Sequence, residues 1–299
     1  MRKCYYSIIL ILEVIIMGKL KAGFIGFTPF GGDPEDFYKC LESYAGIGYT
    51  GFEGGDMLLR NGDPDENLAR VKAFGMEPLS VGLGFGSLDN VDVKAVAEKA
   101  HKLGINRAAS FMGCVGAYRF GQRDDKPTYD EVMREIEKYN EIAKELAKED
   151  IVTTFHNHDA EFIHFYKGKP AFYQMMDNSE YLKFELDTGW ALYGHYDPIQ
   201  VMEDLGDKLK ALHVKDFTYS NVAHPVRPGQ EVDENKCQVS MPRFTTPGTG
   251  LLPLRAVLKK AVEMGLDYAI IEQDFMYNMN QFETLTGAYH NMKETGYVG

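Results

Sequence analysis

Residues 151–162 read IVTTFHNHDAEF. The first five are apolar or β-branched, the pattern of a strand buried on both faces. The run then stops at His156-Asn157-His158-Asp159 and reaches Glu161, so two imidazoles and two carboxylates fall where a buried strand meets its loop. Such a segment is either a polar surface turn or one wall of a reactive site. The choice depends on whether other strands deliver matching groups to the same place.

Working outward, the same kind of run recurs. AGFIGF (22–27), YTGFEGG (49–55), EPLSVGLG (77–84), RAASFMGC (107–114), IVTTFHNH (151–158), LKFELDTG (182–189), LKALHVKD (209–216) and YAIIEQD (268–274) are eight apolar segments. Their starts are mostly 27 to 31 residues apart, about one strand–helix unit. Asp33-Pro34, Asp63-Pro64 and Asp197-Pro198 supply a cap and an N1 proline for intervening helices. Gly75, Gly104, Gly206 and Gly265 fall where helical periodicity stops. Val132, Ile136, Tyr139, Ile142 and Leu146 keep helical spacing through the longest of these segments.

Eight strands alternating with helices, with no linker, predict an α/β fold, a single (β/α)8 TIM barrel. A doubly wound open sheet is the competitor. It would commonly have fewer strands, and no GxGxxG follows the first one; the glycines of GLGFG (82–86) lack that spacing. Two connections are long, the one containing GAYRFGQRDDKPT (116–128) and the Pro/Gly-rich residues 217–250. Both are expected on the C-terminal face of the barrel as substrate lids.

The 299 residues are 44% hydrophobic and 25% charged, which is ordinary globular composition. With 44 acidic against 32 basic residues the net charge is -12, which argues against nucleic acid or an anionic membrane as partner. Cys4, Cys40, Cys114 and Cys237 form no CxxC pair, as expected of free thiols in a reducing, cytoplasmic compartment. The first residues, MRKCYYSIILILEVIIMGKL, have a basic start and an apolar stretch, but Glu13 interrupts it and no small-x-small cleavage site follows. Residues 1–17 are therefore expected to be an extension outside the fold, and residues 18–299 the barrel.

In a barrel, polar residues at the C-terminal ends of strands converge on one mouth. The last four runs end in His156-Asn157-His158, Asp187, His213 and Glu272. One such ending is ordinary loop chemistry. Four in succession read as mixed imidazole and carboxylate ligands for one divalent cation, suited to Mn²⁺, Zn²⁺, Co²⁺ or Fe²⁺ and ill suited to Ca²⁺. Glu53, among the glycines of GFEGG, fits either the barrel mouth or a simple turn.

FELDTGWALYGHYDP, LKALHVKDF, TTPGTG and YAIIEQD, together with FHNHDAEF, resemble the xylose-isomerase-like superfamily of sugar isomerases and epimerases, in its YHNHxxEF variant. The likeness runs over nearly the whole chain after residue 17 and is specific to the superfamily, not to a substrate. It implies a metal-binding TIM barrel, with Mn²⁺ the first expectation, and with Asp187, His213 and Glu272 as ligands and His156 at the fifth-strand position. There the chain departs from the epimerases of the group, which carry Glu and use two opposed glutamates on the two faces of one carbon. A metal-bound imidazole is a poor base. His158, two residues on and on the same strand face, is the expected acid/base, its ordinary pKa being near neutral. With a different strand register the two histidines exchange roles.

Further roles follow from chemistry. Catalytic work is expected of His158, Glu272 and Lys215, the last neutralising a developing alkoxide or else pairing with Asp216 or Glu272. Trp190 is expected either as an apolar wall for a sugar or as packing. Glu161 is expected to hydrogen-bond substrate or to orient a histidine, and Arg243 to meet an anionic or hydroxyl-rich substrate or to stay solvated. The leading reading is a metal-dependent isomerase or epimerase of a sugar or keto-sugar, acting through an enediolate by proton abstraction α to a carbonyl. The alternative is a lyase or hydratase removing a group β to the carbonyl of a 3-keto-glycoside, as in C-glycoside deglycosidases, which the His-for-Glu exchange favours. A non-enzymatic barrel and a DNA endonuclease fit the residues less well. The resemblance also implies a carbohydrate or glycoside substrate and a homo-oligomer, with a smaller second subunit an option.

Overall fold

A computed structural model describes residues 19–29, 31–84, 87–218, 241–277 and 279–299. The expected extension at 1–17, most of the expected lid at 217–250 and the end of GLGFG lie outside them. The parallel strands are β1 (Lys21–Phe24), β2 (Gly51–Phe52), β3 (Glu77–Pro78 and, after two residues, Val81–Gly82), β4 (Arg107–Ser110), β5 (Val152–His156), β6 (Lys183–Asp187), β7 (Leu209–Val214) and β8 (Tyr268–Ile271). Each of β4 to β8 pairs with its neighbours in order, and β8 pairs with β1. The ring closes through β3, whose first half bonds to β2 and whose second half bonds to β4. The expected eight-stranded barrel is present and the open-sheet alternative is not.

Local chemistry sets the helices around it. Asp33, Asp63 and Asp197 accept backbone N–H bonds at the starts of Pro34–Ile47, Pro64–Ala73 and Pro198–Leu205. Each satisfies a donor that the first helical turn leaves unpaired. Helix Tyr129–Ala147 buries Val132, Ile136, Tyr139, Ile142 and Leu146, the stripe read from the sequence. The long connection after β4, expected as a substrate lid, begins with a short helix, Cys114–Arg119. Glu135 of the neighbouring helix accepts the Cys114 backbone N–H at 2.8 Å, giving that helix start the anionic partner it lacks in sequence. No helix of the described residues is long and apolar enough to cross a membrane.

One carboxylate ties the residues just after β7 to residues 248–252. Asp216 accepts backbone N–H bonds from Phe217, Gly248, Gly250 and Leu252, all at 2.8 to 2.9 Å. Gly250 has to be glycine, since a Cβ there would lie 2.3 Å from Asp216 Oδ1. Asp216 also opens the antiparallel pairing of Asp216–Thr218 with Arg243–Thr245. Asp216→Ala is therefore expected to cost about 3 kcal/mol, because four backbone donors, those of Phe217 and Leu252 buried, lose a charged acceptor. The check is the urea midpoint at unchanged m value; a loss under about 1 kcal/mol would mean the loop is held by other contacts.

Candidate metal centre and active site

Strand alternation decides which side chains enter the barrel. Residues two apart share a face, so β6 sends both Glu185 and Asp187 inward, β7 and its exit send His213 and Lys215, and β5 and its exit send His156 and His158. Barrel interiors are ordinarily filled by branched apolar side chains. Here His156, Glu185, Asp187, His213 and Lys215 are almost wholly buried. A charged layer has replaced the apolar one at the C-terminal end.

His156, Asp187, His213 and Glu272, the four expected ligands, bring one atom each within 4.8 Å of one another. His156 Nε2 lies 3.8 Å from Asp187 Oδ2 and 3.6 Å from Glu272 Oε2, and His213 Nδ1 lies 2.8 Å from that same Glu272 oxygen. Two ligands at ~2.1 Å from a shared tetrahedral ion stand roughly 3.4 Å apart. The spacing could hold a small divalent cation, and the histidine of β5 that joins the cluster is His156, not His158.

The layer beneath fixes His213. Its Nε2 is 2.8 Å from Glu53 Oε2 and 3.0 Å from Glu185 Oε1. Arg107 bonds to the other oxygens of both, at 2.8 Å to Glu185 and at short range to Glu53. With Nε2 donating to carboxylates, Nδ1 is the atom left to face the ligand set, the arrangement by which carboxylates orient metal-binding histidines. Burial works against charge on His213, yet Glu185 and Glu53 outweigh it and hold the imidazole well above its ordinary range. Five carboxylates (Glu53, Glu185, Asp187, Glu272 and Asp274) face Arg107, Lys215 and the charged His213. The surplus of negative charge that is left, in a place with little water, could be offset by a further cation.

Lys215 is fully buried and its ammonium touches Asp187 at 3.0 Å, Glu272 at 3.2 Å and Asp274 at 3.0 Å. Burial disfavours its charge, but those three carboxylates raise its pKa above the ordinary lysine value. Of the pairings expected for it, Glu272 is present, whereas Asp216 faces the loop described above. Trp190 packs 5.2 Å from the ammonium and against His158, Phe120 and Phe244. It serves here as packing behind the site. The short helix after β4 meets the site through Phe120, whose ring lies 5.2 Å from His158.

His158 faces the cavity described below and its Nδ1 has no hydrogen-bond partner. Burial first, then the neighbouring His156 and Lys215, keeps its pKa well below the ordinary value, so the ring is neutral. Glu161 lies beneath it, accepting the His158 backbone N–H at 2.7 Å. Burial pushes the Glu161 carboxyl up to about 8, against the opposing effect of that bond. Of its two expected roles, the position suits orienting the histidine segment. Arg243 is exposed on the hairpin, its guanidinium 5.7 Å from the Tyr277 ring centre.

A cavity of about 620 Å³ opens at this centre, with His156, His158, Glu272 and Glu53 at one end. Its opposite wall comes from the loops after β1, β2 and β3. Arg107, Glu185, Asp274 and that wall were not found by reading strand ends. Glu185 and Asp274 stand two residues from expected ligands in FELD and IEQD, so strict alternation carries their signal. A charge opening the apolar run RAAS was the signal for Arg107.

A parallel eight-stranded barrel with a His/Asp/His/Glu cluster at its strand ends defines a class of TIM-barrel proteins with a candidate metal centre. The model of the xylose isomerase-like TIM barrel family matches residues 41–287, and the chain belongs to that family. It is 26% identical to an inosose dehydratase of Yersinia enterocolitica over 301 residues, covering 93% of this chain and 97% of that one. In fold it is similar to a sugar phosphate isomerase/epimerase of Parabacteroides distasonis, with a TM-score of 0.67 at 18% identity over 94% of this chain and 96% of that one. It is also similar to the 3-keto-D-glucoside 4-epimerase of E. coli, with a TM-score of 0.63 at 13% identity over 93% and 99% of the two chains.

Glu53→Gln is expected to lower Mn²⁺ affinity by about 10- to 100-fold, as loss of a carboxylate behind a ligating histidine does. Calorimetric titration reads this directly. Unchanged affinity would show that His213 is oriented without Glu53.

Proposed function

We propose that this protein is a divalent-metal-dependent enzyme that removes a proton α to the ketone of a cyclic polyhydroxy ketone, a keto-sugar or keto-inositol, and expels the substituent β to that ketone. The observation that carries the reading is an asymmetry of bases. Imidazole stands at the end of β5, and of the two cavity-lining histidines whose Nδ1 has no hydrogen-bond partner, His156 and His158, only His156 belongs to the His/Asp/His/Glu cluster, which leaves His158 as the base. Glu272, by contrast, is held by His213 and Lys215.

A bound cation, Mn²⁺ in the first instance, would supply Lewis acidity toward the ketone oxygen of the substrate. His156, Asp187, His213 and Glu272 are the residues to hold it. Neutral His158 takes the α-proton; the C–H electron pair becomes the new double bond as the β C–O bond breaks. The same imidazolium then returns the proton to the departing oxygen, so one base on one face completes the reaction. Lys215 offers its ammonium N–H groups to the oxygen on which negative charge builds. Glu161 keeps His158 in place through the backbone rather than by touching substrate.

Isomerisation or epimerisation, the first expectation from sequence, would share the α-proton step but needs a base to deliver a proton to a second position or face. The inosose dehydratase relative supports the elimination outcome by its activity, and the epimerase of similar fold supports the shared first step. The deciding experiment incubates Mn²⁺-loaded protein in D₂O with an inosose and with 3-keto-glycosides, followed by NMR. Loss of the β-substituent with a new C=C is the expected result. Deuterium at the α carbon with every substituent retained would replace the reading by isomerase or epimerase. His158→Ala should keep its metal and lose about 10²- to 10⁴-fold in turnover, the contribution of a general acid–base; a variant that turns over normally would remove His158 from the mechanism.

A further inference from the structure

Two carboxylate oxygens of the four-residue cluster are claimed twice. Asp187 Oδ2 and Glu272 Oε2 face His156 Nε2 at 3.8 and 3.6 Å, and the Lys215 ammonium rests on the same two atoms at 3.0 and 3.2 Å. Asp187 has no second oxygen to offer. Its Oδ1 already accepts the Trp190 backbone N–H at 2.8 Å, at the start of the short helix Thr188–Tyr193. Oδ2 is left for a cation, and it has no hydrogen-bond partner although Lys215 stands beside it. A metal ion and an ammonium cannot both take these oxygens, since like charges at that range repel strongly where little water screens them.

The hydrogen bonds of Lys215 lead elsewhere. Its ammonium donates to both oxygens of Asp274, at 3.2 and 3.0 Å, and Asp274 is not one of the four clustered residues. Asp274 follows Glu272 by two residues where the chain leaves β8, and 28% of its side chain is exposed. Apolar rings close the other side, with Trp190 and Phe244 centred 5.2 and 5.4 Å from the ammonium. The backbone at Lys215 has no room to shift, because a Cβ on Gly189 would lie 2.4 Å from the Lys215 carbonyl oxygen. Movement is left to the flexible four-carbon side chain. Of the three carboxylates it touches, Asp274 is the one that the ligand set does not claim.

Resting on the metal-centre reading, we infer that Lys215 stands in for the metal ion on Asp187 and Glu272, and that Asp274 is the positioning residue that holds the ammonium aside when a divalent ion takes those oxygens. Lys215 lets go of the two ligand oxygens and keeps its hydrogen bonds to Asp274. No carboxylate of the three is left without a cation by the exchange. It also frees N–H groups of Lys215, which three carboxylates occupy here, for the substrate oxygen on which negative charge builds.

The test is a double-mutant cycle on Mn²⁺ affinity, read by calorimetry on the full chain at fixed ionic strength. Lys215→Met is expected to tighten binding by about tenfold, since a competing charge is gone. Asp274→Asn is expected to weaken it by at least about tenfold, the scale on which a supporting carboxylate acts, and Asp274→Glu to restore it. With Lys215→Met already present, Asp274→Asn should cost no more than about threefold, because the group it positions is absent. Unchanged or looser binding by Lys215→Met, or an Asp274→Asn loss of equal size in both backgrounds, overturns the inference and leaves the metal centre intact. If Lys215→Met fails to fold, crystals of the unaltered protein with Mn²⁺ decide. Lys215 Nζ is then expected on Asp274 and out of reach of Asp187 Oδ2 and Glu272 Oε2; an ammonium still resting on those oxygens beside the ion overturns the inference. If the unaltered protein binds no Mn²⁺, the metal-centre reading fails and takes the inference with it.

Discussion

A single guanidinium makes the centre of this barrel possible. Arg107 reaches across the interior and bonds to both Glu53 and Glu185, two carboxylates with no side-chain exposure. Burying either without a partner would cost several kcal/mol. Paired with Arg107, they become a stable floor that presents two acceptors to His213 Nε2. The floor decides which nitrogen of His213 faces upward, and from that follow the geometry of the four-residue cluster and the electrostatic surplus that favours a cation. Lys215 repeats the device one layer higher, balancing Asp187, Glu272 and Asp274.

Much of this was legible in the sequence because a strand's two-residue period is so restrictive. Once eight buried runs with cap and proline signals had defined the barrel, a polar residue at the end of an apolar run had one direction to point. His156, Asp187, His213 and Glu272 come together on that ground. Glu53 was ambiguous for a physical reason: glycines on either side suit a turn as well as a close-packed mouth. What remained hidden depended on reach rather than on pattern. Arg107 starts β4 at the opposite end from the site, and only the length of its side chain brings it to Glu53. Trp190 and Glu161 carried two readings each, since sequence places a residue on a face but does not say whether a neighbour covers it. Phe120 and the short helix before it cover that ground.

The exchange of glutamate for histidine on β5 changes the balance of charge and chemistry together. A carboxylate there would have added a sixth negative group to a layer already anionic. An imidazole there adds no carboxylate to the layer and stands beside His158, which is kept neutral by burial and whose Nδ1 has no hydrogen-bond partner. The loops after β1 to β3, which contribute no metal-ligand candidate besides the Glu53 floor, are free to shape the wall opposite that base.

The measurement that bears most directly on this account is anomalous diffraction at the manganese edge from crystals grown with Mn²⁺. The account predicts a single strong peak with His156 Nε2, Asp187, His213 Nδ1 and Glu272 within about 2.0–2.3 Å, bond lengths ordinary for a small first-row cation. His213 Nε2 should remain on Glu53 and Glu185. A peak bound through His158 or through His213 Nε2, or no ordered manganese among these residues, would contradict it.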